Sequence, residues 1–214
     1  MQFKAQVHTP QLKSTATLLL HKPYGVLSQF RREPGSSWES LAALVPQRNV
    51  YAAGRLDADS EGLLLLTANG RLQHHLCDPK WGHWRHYWVQ VEGIIDQVAI
   101  EKLQRGLMLK DGQSLPARAR CLDADQYGPL PARQPPIRHR LSVPTSWIEL
   151  SLREGRNRQV RRMSAAVGFP TLRLIRVAID LMDGAKPLSL EGLAPGEWRS
   201  VSAEEEMRLQ RLIN

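Results

Sequence analysis

Two stretches of this chain concentrate the residue types that do chemistry. The first is Gly54-Arg55-Leu56-Asp57-Ala58-Asp59-Ser60-Glu61-Gly62, three acids at alternate positions beside an arginine. It opens like a calcium loop, but the ninth and twelfth positions of such a loop fall on Leu65 and Ala68, which cannot be ligands. With calcium set aside, Asp57 is either a turn former ahead of a strand or a carboxylate held ready as nucleophile or base, flanked by Arg55. The second stretch is Glu154-Gly155-Arg156-Asn157-Arg158-Gln159-Val160-Arg161-Arg162-Met163. On a helix Arg158, Arg161 and Arg162 share one face, with Val160, Met163 and Val167 opposite. The free N–H groups and positive dipole end at the start of such a helix suit a phosphate. Residues 131–162 contain eight Arg, two acids and no Lys. Arginine grips phosphate with two parallel hydrogen bonds, so this segment points to nucleic acid rather than to an ordinary solvated face. A third cluster, His74, His75 and Cys77 with His83 and His86, has the density of a zinc site but only one cysteine and no two tight ligand pairs; no metal is expected, and Trp81, Trp84 and Trp88 read as packing or stacking residues.

The elements that must position these residues follow from hydrophobic period and punctuation. Leu18–Leu20 starts a strand that runs into a turn at Pro23-Tyr24-Gly25, and a short helix begins at 37–41. A strand over 49–53 ends at Gly54. The run Leu63–Thr67, bounded by Gly62 and Asn69-Gly70, reads as a buried strand. Residues 71–76 form a short helix, 87–93 an alternating strand stopped by glycine, and 96–107 an amphipathic helix. Four prolines make 128–136 a loop. A strand over 147–152, a helix over 157–167 capped by Asn157, and a strand over 172–179 follow, and Ser202–Glu205 is a capping box for the last helix. Strands and helices alternate irregularly, which predicts an α+β fold. The expected organisation is a flexible leader at 1–17 and one domain over 18–214.

Composition bounds the rest. The 214 residues are 42% hydrophobic and 23% charged, enough for a packed core, and 29 Lys+Arg against 21 Asp+Glu give +8, a balance that favours a polyanionic partner. No apolar run approaches the roughly 20 residues of a membrane span, and the first 25 residues lack a signal peptide's apolar stretch. Two cysteines, Cys77 and Cys121, make no disulfide framework, so a reducing cytoplasm is the expected compartment.

Four blocks stand together in the order found in one family: Leu20-His21-Lys22-Pro23-Tyr24-Gly25-Val26-Leu27, Gly54-Arg55-Leu56-Asp57 through Leu66-Thr67, Tyr87–Gly93, and Glu154–Met163. From about Leu18 to Arg199 the chain resembles the small RsuA-type ribosomal RNA pseudouridine synthases. Segments 135–138, 143–147 and 168–176 are most similar to the large-subunit synthase E branch, which lacks the N-terminal S4 domain; the short leader leaves no room for one here. The resemblance implies a mixed, largely antiparallel sheet shared by two small lobes with the active-site cleft between them. It also implies a cofactor-free reaction in which a uridine becomes its C5-linked isomer. Asp57 matches the catalytic aspartate, attacking ribose C1′, through a glycal-like intermediate, or uracil C6. Tyr87 matches the tyrosine that stacks on the extruded base and carries a proton, and Arg161 the arginine that pairs with the aspartate and orients it. Arg55 is placed to hold the flipped nucleotide's phosphate, and Val160 and Leu174 to floor the pocket. Lys22, Arg31, Arg32, Arg138, Arg140, Arg156, Arg158 and Arg162 are candidate phosphate contacts. The expected partner is large-subunit ribosomal RNA, bound by a monomer. The chain departs from the family pattern at Asp180, where a glycine is usual, and at His86, where Lys or Thr is usual. Three rivals remain: an RNA-binding protein that lost the chemistry, a metal-dependent nuclease using Asp57, Asp59 and Glu61, and a synthase acting on another structured RNA.

Overall fold

The leucine run organises the first half of the molecule. The computed structural model describes residues 16–47, 49–128, 130–137, 140 and 142–214. Strand β1 (Thr17–Lys22) is fully buried, and β2 (Tyr51–Ala52) is a two-residue strand that pairs with β3 (Glu61–Thr67). Every residue of β3 is buried. Alternation along a strand sends Leu64 and Leu66 to one face, against Leu41, Leu44 and Val45, and Leu63 and Leu65 to the other, against helices α1 (Gly70–Cys77) and α5 (Ala203–Arg211). A strand apolar on both faces must lie inside a sheet. Accordingly β3 runs antiparallel to β1 on one side and parallel to β9 (Thr171–Ile179) on the other.

The second half is built on β4 (Arg85–Glu92), whose burial alternates residue by residue. It pairs antiparallel with β9 and with β8 (Thr145–Leu152), and β7 (Arg118–Leu122) closes that edge. Its inward residues Tyr87, Val89 and Val91 are covered by Ile100 and Leu103 of α2 (Gln97–Arg105) and by Val160 and Met163 of α4 (Gln159–Ala166). The sheet order is β11-β1-β3-β9-β4-β8-β7, where β11 is Trp198–Ser200; β10 (Leu188–Ser189) pairs with β9, and β5 (Met108–Leu109) with β6 (Gly112–Gln113) forms a separate hairpin. A one-turn helix, α3 (Ala124–Tyr127), completes the list. This is the α+β, mostly antiparallel sheet expected.

Among the described residues β3–β9 is the one parallel strand pair of the main sheet, with Glu61 opposite Ile175 and Gly62 opposite Arg176. The approach requires glycine: Gly62 has φ 116°, and a Cβ there would lie 2.3 Å from the Arg176 carbonyl oxygen.

Several boundaries differ from the sequence reading. Residues 1–15 of the expected leader lie outside the described residues, and Thr17, counted with that leader, already pairs with Thr67 in β1. The helix expected from 37–41 is a single 3-10 turn at Leu41–Ala43, because Glu39 is drawn into a bridge with Val26 and Ser40 is extended (φ −111°). Asn49 has φ 63°, so the strand expected over 49–53 shrinks to β2. Asn157 does not cap α4; Arg158 precedes it in a left-handed conformation (φ 47°) and makes no side-chain cap bond. The Arg156 amide instead donates to the Gln159 side chain at 3.1 Å. The strand β7 went unread because Arg118, Arg120 and Cys121 are exposed and its buried residues, Ala119 and Leu122, do not alternate.

Candidate active site

The loop that carries Asp57 is fastened before the strand begins. Ser28 Oγ accepts from the Leu56 amide at 3.0 Å and donates to the Leu56 carbonyl at 2.7 Å. The Gly25 amide donates to the Ala58 carbonyl at 2.8 Å, and the Ser60 amide to the Asp57 carbonyl at 3.0 Å. The Pro-Tyr-Gly turn is thereby a clamp on the acidic loop. Asp57 itself keeps 38% of its side chain exposed and stands at the rim of a cleft of about 410 Å³. Loop 54–57 and Ser60 form one wall, and the segment from Leu152 to Val160 the facing one; Arg85 and Tyr87 of β4, Leu174 and Arg176 of β9, and Cys77 at the end of α1 complete the lining. Asp57, Tyr87, Arg55, Arg156, Arg158, Val160 and Leu174 are therefore brought together. Arg138 lies outside the described residues.

Three arginines read as one basic face are dispersed by the fold. Arg158, thrown sideways by its left-handed backbone, grips Asp59 with both Nη atoms at 3.2 and 2.7 Å and reaches Asp57 Oδ2 at 3.4 Å. Arg161, one turn into α4, donates to the Asp59 carbonyl at 2.8 Å and approaches its carboxylate at 3.5 Å. The arginine at hydrogen-bond distance from Asp57 is thus Arg158, where Arg161 was expected, and Arg161 braces the loop from behind. Burial opposes ionisation of Asp59, but the Arg158 hydrogen bond and the Arg161 charge outweigh it and hold its carboxyl below the usual range. Arg162 turns away to fork Asp111 at 2.7 and 3.0 Å, and Arg156 bridges Glu154 at 3.1 Å and the Gly112 carbonyl at 3.0 Å. Arg55, Arg31 and Arg32 are exposed, Arg32 with Glu39 at 3.4 Å, and Arg140 sits 3.7 Å from Glu92.

Glu61 does not join the other acids. It is buried, and Arg173 holds both its oxygens at 2.8 and 2.7 Å. With Asp59 taken by Arg158 as well, the triplet is not an open set of ligands. In the histidine cluster, His83 Nε2 faces His75 Nδ1 at 3.2 Å, and His75 stacks on Trp81 with ring centres 4.0 Å apart. Asp180, the unusual residue at the end of β9, accepts from the Met182 amide at 2.8 Å and so forms a local turn.

Lys22 is corrected too. Expected at the RNA surface, it is completely buried, and its Nζ donates to the carbonyls of Pro23 and Val26 at 3.0 and 2.7 Å. Burial lowers its ammonium to about 7, against the pull of Glu61, Asp59 and Asp57. An unfolded lysine holds its proton to about pH 10.4, so from pH 7 upward the unfolded chain carries the extra proton and stability rises with pH. The contribution is complete above the unfolded value and is lost as pH falls toward 7. Lys22→Met is expected to flatten the rise in denaturant-melt stability between pH 7.5 and 9, a slope of up to about 1.4 kcal/mol per pH unit; equal slopes in the two proteins would show that Lys22 is not the titrating group.

The sequence reading overlooked Arg85, Cys77 and Arg176 in the cleft lining. Arg176 carried a signal, since a charge at an inward position of the apolar strand Leu174-Ile175-Arg176-Val177 needs a reason.

Known proteins identify the family. Residues 16–166 match the family model described as RNA pseudouridylate synthase. The chain is 50% identical over 182 residues to the ribosomal large subunit pseudouridine synthase E of Xanthomonas campestris pv. campestris, covering 85% of this chain and 93% of that protein. It is 47% identical over 185 residues to the protein of the same name from Vibrio vulnificus, covering 86% and 74%. A crystal structure of a pseudouridylate synthase superposes with a TM-score of 0.72 at 24% identity, over 93% of this chain and 75% of that one, which shows the shared fold. Among the described residues no helix is long and apolar enough to cross a membrane. Sheet topology, the four sequence blocks and these relatives agree: the chain belongs to the RNA pseudouridylate synthase family and is a pseudouridine synthase.

Proposed function

We propose that the protein isomerises one uridine of large-subunit ribosomal RNA to pseudouridine, with Asp57 as the nucleophile. The observation that carries this reading is an exposed carboxylate at the rim of a nucleoside-sized cleft whose walls supply Tyr87 and a ring of arginines. The relatives' names point to large-subunit RNA as the substrate. In the net reaction the N1–C1′ bond breaks, a C5–C1′ bond forms, and a proton leaves C5 while N1 gains one. No redox equivalent is consumed, so a carboxylate nucleophile, a stacking surface and a proton carrier suffice. Asp57 attacks, Tyr87 stacks on the extruded base and handles the proton, and Val160 and Leu174 hold the ring while it turns over. Arg161 acts through Asp59 as a positioning residue for the loop. The enzyme works as a monomer in the cytoplasm, on free RNA or on a particle in assembly.

The test is incubation with unmodified large-subunit ribosomal RNA in EDTA, followed by carbodiimide-stop mapping. One new stop is expected; conversion lost in EDTA, or no stop on RNA and on assembly intermediates alike, overturns the reading. Extrusion of the base is offset by phosphate contacts from Arg55, Arg31, Arg32 and Arg140, and from Arg156, Arg158 and Arg162 once phosphate displaces their carboxylate partners. About four such contacts weaken binding roughly 50-fold between 50 and 200 mM salt, and Arg55→Ala is expected to reduce the log–log slope by about 0.7 to 1. An affinity indifferent to salt would remove these residues from the RNA interface.

A further inference from the structure

Arg176 is the largest fully buried side chain among the described residues, and it lies in the cleft lining. Its Nε donates to the Leu63 carbonyl at 2.8 Å. Burial pushes the guanidinium below its usual range, and the hydroxyl of Tyr87, its cross-strand partner, opposes that shift. Nη2 nevertheless has no acceptor in hydrogen-bond geometry. Three other buried side-chain nitrogens share that state, His86 Nε2, Arg161 Nε and Arg162 Nε, but none of those residues lines the cleft. A charged donor enclosed without an acceptor is a costly feature, and a native fold that keeps one has a use for it.

Neither carboxylate of the cleft supplies the acceptor. Its two carboxylates are Asp57, at the rim near Arg158, and Glu154, which already accepts from Arg156, Gln159 and the Leu115 amide. What would bring an acceptor is a base stacked on Tyr87, because the neighbouring strand places Arg176 opposite that ring. Uracil carries two carbonyl oxygens on its edges, O2 and O4. We propose that Arg176 Nη2 donates a hydrogen bond to a carbonyl oxygen of the target uracil, making Arg176 a base-recognition residue. A contact at O4 also excludes cytosine, whose amino group there would set donor against donor.

This inference rests on the uridine-isomerising reading and deepens it. The test places uridine, 2-thiouridine or 4-thiouridine at the mapped position of a large-subunit RNA fragment and measures single-turnover rates. Equilibrium binding of hexanucleotides carrying the same three bases is measured in parallel. Sulfur is a poor acceptor, and a change in the substrate cannot unfold the protein. For the wild type, one thio substitution is expected to lower rate and affinity about tenfold, or 1.4 kcal/mol. Arg176→Met is expected to lose a similar factor on the uridine RNA and nothing further on that thio RNA, while Arg176→Lys retains part of the discrimination. Thio effects below about twofold, or equal effects in wild type and Arg176→Met, overturn the assignment. If the wild type discriminates in binding but converts neither these RNAs nor assembly intermediates, the isomerase reading falls and the donor stands. Conversion without discrimination removes the donor alone.

Discussion

Asp57→Ala is expected to lower the single-turnover rate of pseudouridine formation by at least about 10⁴-fold, in line with the loss of other enzymic nucleophiles. Its RNA affinity is expected to stay within a few-fold of wild type, because the phosphate contacts proposed above come from arginines and not from Asp57. Stability should change by less than about 0.5 kcal/mol, since the side chain is more than a third exposed and its ion-pair partner Arg158 keeps Asp59. Asp57→Asn is the sharper form of the experiment. It preserves size and can still accept from Arg158 at the 3.4 Å position, yet it cannot attack carbon. If Asp57 only positions the loop, Asn will retain most of the activity; if it is the nucleophile, Asn and Ala will be equally inactive. A tenth of the wild-type rate in Asp57→Asn sinks the nucleophile assignment.

The largest stability effect is expected one turn away, at Glu61. Both Glu61 oxygens are held by Arg173, and the two side chains are 4% and 6% exposed. Glu61→Ala leaves the guanidinium charge buried without a partner, which costs about 3–5 kcal/mol. For a chain of this length that corresponds to a fall in Tm of roughly 10 °C. Replacing both partners, as Glu61→Leu with Arg173→Met, should recover much of the loss because no charge is then stranded. A single variant within about 1 kcal/mol of wild type would show that the pair does not support the β3–β9 junction.

How much of this was legible depended on whether a residue's role was local. Tyr87 could be placed from the alternation Tyr87-Val89-Val91, because an inward position on a strand is a property of the strand alone. The buried β3 followed in the same way from its leucines and flanking glycines. Lys22 was misplaced because a lysine beside a turn ordinarily lies at the surface; here the turn folds back on it and gives its Nζ the Pro23 and Val26 carbonyls. The exchange of Arg158 for Arg161 at Asp57 depends on one left-handed backbone residue, which arginine rarely adopts and no spacing rule anticipates. Glu61 read as the third of three alternate acids, and its partner Arg173 lies 112 positions away. Such a pairing belongs to topology and not to any window of sequence.

That topology also sets a timetable. β3 is greasy on both faces, and one of its neighbours, β9, is made more than 100 residues later; β11, which flanks β1, is later still. While the chain emerges, a seven-residue segment with four consecutive leucines has β1 along one side and only the two-residue β2 at the far end of the other, so the rest of that edge is open. Such segments recruit one another between chains, and charged neighbours act as gatekeepers against it. Asp57, Asp59 and Glu61 precede the leucines, so the two acids that later sit in the loop and the one that later pairs with Arg173 also serve as the charged flank of the nascent strand.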